Sequence, residues 1–251
     1  MRFGFVLLLV LLFPGTAITL RAQTAPPPPP VWDTQTGASF LGIGGNSETS
    51  STGADFSLHR RWPVWQIESA ATAVRTSDHD HRTAERYLAG LRGQRKLSGI
   101  VGLSTGWRAE RDKFAGINFR SVLDAGLSWA LVRHPRWMLD GLTAIAWNHE
   151  RPTVGLSVDD PVGVLQAISR VPFGTAGDAM QRFTFYPNFN RRSAYRSEAE
   201  LSAQAAMNGH LALKIGYLLR QSNKPVAGFK KTDNTTSASV VLRWRAAATM
   251  P

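Results

Sequence analysis

Apolar side chains recur at every second position along most of this chain, and this period of two restricts the possible folds most strongly. In residues 117–131 the odd positions are mainly large and apolar, whereas the even positions include Asn118, Arg120 and Asp124. Successive side chains of a β-strand point to opposite faces, so as a strand this segment has one apolar and one polar face. A helix would place Arg120 and Asp124 within its apolar stripe. The pattern therefore predicts a strand.

The same alternation occurs about twelve times. The eighth and ninth of these segments are the weakest, because residues 159–173 alternate poorly and contain Pro161 and Pro172. Strands would then occupy more than half of the exported chain, a fraction that is unusual for a soluble domain and normal for a barrel. The expected strands span residues 33–44, 51–61, 65–75, 84–95, 100–110, 117–131, 137–149, 161–173, 179–188, 195–207, 210–222 and 235–245.

The segments between these strands alternate between short and long. Tight turns are expected at 62–64, 96–99, 132–136 and the Asn208-Gly209 pair, which is a strong hairpin signal. Outer-membrane barrels have short periplasmic turns and longer external loops, and an even number of strands returns the C-terminus to the periplasm. We therefore predict a closed antiparallel transmembrane β-barrel of about 12 strands. The longer polar loops are expected at 44–50, 76–83, 111–116, 150–160, 188–194 and 223–234.

Tryptophans near the strand ends favour the same interpretation. Amphipathic rings collect at the two membrane interfaces, where they form girdles around a barrel. A soluble β-sandwich is the alternative, but its polar face should be dense in Lys and Glu, whereas here that face is rich in Gly, Ser and Ala. The residues expected in the interface girdles are Trp62, Trp65, Trp107, Trp129, Trp137, Trp147 and Trp244.

The N-terminus has the pattern of a secretory signal peptide. Arg2 precedes an unbroken apolar run at 3–13, and small residues follow. We expect residues 1–23 to be the signal, with cleavage near 17 or 22–23, residues 24–31 to be a Pro-rich linker, 32–245 the barrel and 246–251 a short tail. Loss of residues 1–23 removes two arginines, which leaves 27 basic and 18 acidic residues and a formal charge of +9.

Four sequence segments resemble the family of salt-induced outer-membrane proteins known as DUF481. They are GGNSET at 44–49, RDKFAG at 111–116, FYP at 185–187 and PVAGFKKTD at 225–233. The resemblance covers roughly residues 32–244. It departs from the family pattern at Gly44-Gly45 and after Trp147, and the chain continues for seven residues past Trp244. The resemblance implies a twelve-stranded outer-membrane barrel without an established activity.

The last expected strand alternates apolar residues up to Trp244 and resembles the signal that the outer-membrane assembly machinery reads. The usual signal places the aromatic residue at the very end of the chain, and here a tail follows. A membrane-facing strand with Trp244 at an interface explains the same residues, so both interpretations stay open.

Alternation assigns charges of both signs to the barrel interior, seven basic and seven acidic. Interior charges are costly unless they are paired or hydrated, so they either plug the barrel or line a narrow water-filled pore. The expected lumen residues are Asp55, Glu68, Arg86, Arg92, Arg108, Glu110, Arg120, Asp124, Asp140, Arg196, Glu198, Glu200, Lys214 and Arg220.

The excess positive charge then falls mainly in loops and turns, as at Arg191-Arg192 and Lys230-Lys231. Outer-membrane lipids and lipopolysaccharide are the expected partners of these cations, together with the assembly machinery. Nucleic acid explains the charge less well, because the basic residues are dispersed along an exported chain. The sequence does not indicate an oligomeric state.

Three polar clusters invite a chemical interpretation. The Asp78-His79-Asp80-His81 segment contains metal-ligand residue types, but four adjacent residues cannot easily surround one ion. Asn148-His149 invites comparison with outer-membrane lipases, although no serine motif accompanies it. Asp159-Asp160 is more simply a polar loop.

We therefore expect no enzyme, no metal and no cofactor, and we retain three hypotheses: a narrow solute or ion channel, a non-conducting envelope protein linked to salt or osmotic stress, and a membrane hydrolase.

Overall fold

The computed structural model describes residues 32–43, 49–78, 81–174 and 177–246. The expected signal peptide and Pro-rich linker lie outside these residues, as do the first five residues of the GGNSET segment (44–48) and residues 247–251 of the tail. Among the described residues, no helix is long and apolar enough to cross a membrane.

Twelve antiparallel strands form a closed barrel in which each strand pairs with its neighbours in sequence and β1 pairs with β12. Between β5 and β6 lies one turn of 3-10 helix, Lys113–Ala115. The strands are β1 Trp32–Ile43, β2 Thr49–Arg61, β3 Trp65–Asp78, β4 His81–Lys96, β5 Val101–Asp112, β6 Ile117–His134, β7 Trp137–Pro152, β8 Val158–Phe173, β9 Gly177–Tyr186, β10 Arg196–Ala206, β11 Leu211–Ser222 and β12 Thr232–Ala246.

The prediction of a twelve-stranded barrel is confirmed, and the weakly alternating eighth segment is a strand. The strands extend further into several expected loops than the side-chain pattern indicates. β3 continues to Asp78 and β4 begins at His81, both inside the loop expected at 76–83, and β8 begins at Val158 inside the loop expected at 150–160. β12 likewise continues to Ala246, the first residue of the expected tail. Backbone pairing continues there although the apolar alternation has ended.

The strand β6 departs from strict alternation at its first residue. The sequence places Ile117 on the apolar outer face with Phe119, but a register shift lies between these two residues. A β-bulge adds one residue to one strand and so reverses the facing of the residues beyond it. Ile117 is therefore paired with Asp112 and is buried.

The outer face of the barrel is apolar. Large exposed side chains occupy alternate positions around it, including Ile145, Leu123 and Leu213, which are 71%, 58% and 48% exposed. A soluble protein rarely exposes so continuous an apolar surface, whereas a membrane barrel requires one. The expected girdle tryptophans all lie on this outer face or in a turn next to it. Three of them donate Nε1–H to a hydroxyl on a neighbouring strand: Trp107 to Ser121, Trp129 to Thr143 and Trp137 to Ser169.

Candidate functional site in the barrel lumen

The inner face carries the charges. All fourteen residues that alternation assigns to the lumen occupy inward positions, in register with residues such as Ala212, Val241 and Thr184 that are completely or almost completely buried. These side chains fall into two groups. The first forms a central network that crosses the lumen, and the second forms pairs between nearby strands.

One ion pair spans the barrel from β5 to β10. The guanidinium of Arg108 forms two parallel bonds to Glu198, with Nη1–Oε2 and Nη2–Oε1 distances of 2.7 and 3.0 Å. Arg108 Nη1 also donates to the hydroxyl of Tyr186 on β9 at 2.9 Å. Bidentate arginine–carboxylate pairs fix both partners in one geometry. Arg108 and Glu198 therefore form a strut across the interior rather than two independent wall charges.

A second set of ion pairs crosses between β5 and β11, which lie on opposite sides of the ring of twelve strands. Arg220 donates to Glu110 at 2.9 Å and to Asp112 at 2.7 Å. Glu110 also accepts from Arg86 at 3.1 Å and from Arg120 at 3.4 Å. With only 4% of its surface exposed, Glu110 is thus surrounded by three arginines. Burial of its charge is tolerable because both carboxylate oxygens accept hydrogen bonds from arginines.

These residues form what we term the lumen network: Arg86, Arg108, Arg120, Arg220, Glu110, Asp112, Glu150 and Glu198. Arg120 completes it by donating to Glu150 at 2.8 Å. The network contains four arginines and four carboxylates, so its formal charges cancel. It closes the part of the lumen that it crosses.

On one side of the network, the lumen is filled by apolar side chains. Val122, Leu142, Ala146, Val162, Val164 and Tyr186 on β6–β9 form a buried cluster inside the barrel. Arg196 lies beside the cluster, where it donates to Asn148 at 3.1 Å and has its guanidinium 5.0 Å from the centre of the Tyr186 ring. Because these apolar side chains pack together inside the barrel, we term β6–β9 the filled sector.

On the other side of the strut, the inner wall carries very small side chains. Ser57, Ala70 and Gly90 are consecutive register partners on β2, β3 and β4, and Gly90 is the register partner of Arg108. Ala70 is exposed although it points inward, as is Ser237 on β12. We term Ser57, Ala70 and Gly90 the small-residue band. These three residues add almost no side-chain volume to the lumen beside the strut.

Two lumen charges have no ionic partner within the part of the chain that the structure describes. Asp55 and Lys214 point inward, and neither forms an ion pair or side-chain hydrogen bond with any residue that the structure describes. A charge in a low-dielectric interior needs a partner or water. The contrast with the paired lumen network indicates that the lumen near Asp55 and Lys214 is hydrated.

The remaining lumen charges pair locally. Arg92 binds both oxygens of Asp124 at 2.8 and 2.7 Å across Gly106, where any side chain would collide with this pair. Arg182 binds Glu200 at 2.8 Å on the neighbouring strand. Close to the turns, Asp140 pairs with Arg133 and Arg170, and Glu68 pairs with His59. Each of these pairs joins strands that are no more than two apart in the ring, unlike the Arg108–Glu198 and Arg220–Glu110 pairs of the lumen network.

The residues considered for chemistry do not converge on one centre. His149 and Asp159 are register partners on the outer face, with 2.8 Å between Nδ1 and Oδ1. Asp160 points inward and accepts from Asn188 and Arg191, so the two adjacent aspartates lie on opposite faces of β8. That pair belongs to a strand rather than to the expected loop.

The Asp78-to-His81 segment lies mostly outside what the structure describes. Its two central residues, His79 and Asp80, are outside the described ranges, and only the backbones of its end residues are placed, in β3 and β4. Among the described residues, no three His, Asp or Glu side chains lie close enough to hold a metal ion.

Several residues of the site escape the sequence analysis. Asp112 and Glu150 lie within the loops expected at 111–116 and 150–160, and their inward direction becomes visible only because β5 and β7 extend that far. Tyr186 and Arg182 occupy inward positions of β9 that strict alternation from Phe183 would have identified. Trp32, the eighth tryptophan, stacks on Arg60 at 4.1 Å but precedes the first expected strand.

The chain matches a known protein family. The family model described as "Protein of unknown function, DUF481" matches residues 37–244. This chain belongs to the DUF481 family. A relative in the family, the uncharacterized protein YdiY of Escherichia coli (strain K12), is 24% identical over 217 residues, which are 81% of this chain and 79% of YdiY. The resemblance inferred from the four sequence segments is thus confirmed.

Solved structures agree on the fold. The COG4313 outer membrane channel from Pseudomonas putida F1 matches with a TM-score of 0.50 and 10% identity, covering 90% of this chain and all of that protein (100%). The NanC porin matches with a TM-score of 0.47 and 13% identity, covering 84% of this chain and 97% of the porin. The match to the Pseudomonas channel agrees with the closed ring of twelve strands, so this DUF481 member has the barrel fold of outer-membrane proteins.

Proposed function

We propose that this protein is an outer-membrane channel through which small hydrophilic solutes or ions pass along the small-residue band. The observation that carries the proposal is the unequal filling of the lumen. The Arg108–Glu198 strut and the apolar cluster close one side, whereas Ser57, Ala70 and Gly90 leave the other side open. The exposed inward positions Ala70 and Ser237 support a water-filled route.

The same features support a narrow route. A barrel of twelve strands has little interior space once its side chains are placed, and the lumen network occupies part of it. Passage is then limited to species that fit between the strut and the wall. The hydrated Asp55 and Lys214 add one charge of each sign, which favours weak selectivity.

Export and location belong to the same proposal. The apolar N-terminal run supports delivery through a cleaved signal peptide, and the apolar outer face supports insertion into the outer membrane. Lipids, lipopolysaccharide and the assembly machinery are the partners that this location implies. The absence of a convergent catalytic constellation among the described residues favours a non-enzymatic role. Unchanged hydrolytic activity in His149→Ala would agree with that role, whereas loss of a measurable hydrolysis would contradict it.

The channel is tested in planar lipid bilayers with a pair of adjacent substitutions. Ala70→Phe places a ring within the small-residue band, and Ala71→Phe places the same ring on the outer face, in the lipid. We expect discrete conductance steps for the wild type, an unchanged step for Ala71→Phe and at least a severalfold smaller step for Ala70→Phe. Absence of steps in the wild type over a wide voltage range, or equal steps in all three proteins, would exclude this route.

A non-conducting structural barrel is the second candidate. The observation that favours it is the lumen network. Its formal charges cancel, and its ion pairs join strands on opposite sides of the ring, as those of a plug would. The family resemblance links such a barrel to salt or osmotic stress. A wild-type protein that resists heat and denaturant but never conducts would support this candidate over the channel.

A further inference from the structure

A patch on the outer face near the short turns combines two arginines with three tryptophans. Trp32, Arg60, Trp62, Trp65 and Arg95, which we term the arginine–tryptophan patch, lie on β1–β4 and in the turn between β2 and β3. The guanidinium of Arg60 lies 4.1 Å from the ring centre of Trp32 and 4.3 Å from that of Trp62. The guanidinium of Arg95 lies 5.4 Å from the ring centre of Trp65.

Strand pairing joins these contacts into one surface. Trp32 is the register partner of Arg60, and Trp65 is the register partner of Arg95. The amide of Trp62 donates to the carbonyl of Trp65 at 2.8 Å, which holds the two halves together across the turn. The rings restrain both cations without neutralising them, because a cation–π contact supplies no counter-ion.

Among the described residues, the two cations have no carboxylate partner. Neither Arg60 nor Arg95 forms an ion pair with an acid in the part of the chain that the structure describes, and Nε of Arg60 is buried without a hydrogen-bond acceptor. The outward positions in this half of β1–β4 are otherwise apolar, small or hydroxyl-bearing, with Ile67 and Leu91 42% and 51% exposed. The carboxylates nearby, such as Glu68, point into the lumen, where Glu68 pairs with His59.

The position of the patch identifies what can neutralise it. Tryptophans mark the membrane interface, and the apolar residues beyond them lie at the depth of the lipid chains. A planar guanidinium binds the oxygens of a phosphate in a bidentate manner. We propose that the patch is a binding site for an anionic phospholipid of the periplasmic leaflet, with the lipid phosphate held by Arg60 and Arg95 and the glycerol region packed on the tryptophan rings.

This site differs from general attraction between a basic rim and an anionic membrane. Lys96 and Arg136 lie at the same end of the barrel and carry the same charge, but neither contacts a tryptophan ring among the described residues. A bulk electrostatic effect would depend on the total charge, whereas a built site depends on Arg60 and Arg95 in particular. The two models therefore predict different results for variants of equal charge.

The experiment measures lipid preference by native mass spectrometry and thermal unfolding of the full-length mature protein. The protein is reconstituted with phosphatidylcholine alone or mixed with phosphatidylglycerol, and inorganic phosphate is added in a separate arm. The variant Arg60→Gln/Arg95→Gln is compared with the charge-matched control Lys96→Gln/Arg136→Gln. We expect the wild type and the control to retain phosphatidylglycerol and to unfold at a higher temperature with it. The patch variant should lose about tenfold or more of the preference, because one charge-assisted hydrogen bond to an ionised group is worth roughly that factor.

Equal losses in the patch variant and the control would overturn the proposal in favour of bulk attraction. Full stabilisation by inorganic phosphate alone would overturn the assignment of the site to a lipid. Should Arg60→Gln/Arg95→Gln fail to assemble, Arg60→Lys/Arg95→Lys retains the charge and loses the planar fork. Its intermediate preference would support the site, and a preference equal to the wild type would contradict the bidentate geometry.

Discussion

The pairing of Arg108 with Glu198 is the contact on which the division of the lumen rests. Their side chains are 27% and 18% exposed, so each charge depends on the other more than on bulk water. We expect Arg108→Ala or Glu198→Ala alone to lower the free energy of unfolding by about 1–3 kcal/mol, because either change leaves a poorly hydrated charge without its partner. Urea titrations of the refolded barrel in lipid vesicles measure this cost.

The double variant separates coupling from general damage. Because Arg108 and Glu198 contact each other, Arg108→Ala/Glu198→Ala should destabilise the barrel by less than the sum of the two single changes, since the second change removes a charge that the first has left unpaired. Additive losses would mean that the two side chains do not interact. Comparison with Arg182→Ala/Glu200→Ala gives the same cycle for a pair that stays on neighbouring strands.

Alternation predicts which face a residue occupies but not which residue it meets. All fourteen expected lumen residues point inward, because the face of a side chain follows from local backbone geometry. The pairing of Arg108 with Glu198, 90 positions away, depends on the number of strands and their stagger around the ring. One sequence does not contain that information in a local pattern, so the strut and the small-residue band became visible only in the folded barrel.

The strands β6–β9 act as one unit because their inner residues pack together. Leu142 is 4% exposed within the filled sector, whereas Ile145 on the same strand is 71% exposed on the outer face. We expect Leu142→Ala to cost about 2–5 kcal/mol, since it combines lost transfer energy with a cavity. Ile145→Ala should cost less, because lipid chains can occupy the space it leaves. Unfolding in vesicles tests the order, and a larger loss for Ile145→Ala would contradict an interior core.

Strand ends were harder to predict than strand faces. Apolar alternation stops where a strand leaves the membrane, but backbone hydrogen bonds continue beyond that level, as in β7 to Pro152 and in β8 from Val158. Two members of the lumen network, Asp112 and Glu150, lie in these extensions. The bulge after Ile117 similarly reverses one side chain without a signal in the pattern. The parts of the site that the sequence missed are therefore concentrated at the loop ends of the strands.

Side chains fill part of the interior of the barrel. Single-channel conductance measures how much of the remaining lumen ions can pass through. Twelve strands enclose more space than the apolar cluster fills, and the lumen network holds the remaining charged side chains across the middle. The strut borders the small-residue band, since Arg108 is the register partner of Gly90. Shortening the strut should thus widen the route that the band provides.

We therefore expect Arg108→Ala/Glu198→Ala to give a larger single-channel conductance than the wild type, by about a factor of two or more if the route runs beside the strut. Arg182→Ala/Glu200→Ala is the matched control, because it removes the same two residue types and also alters β10, but from a pair that lies along the wall. The control should conduct like the wild type. Equal increases in both variants would mean that loss of any interior charge loosens the barrel, and the route would then have to be sought elsewhere in the lumen. An increase confined to the strut variant, together with the block expected in Ala70→Phe, would locate the route from both of its sides.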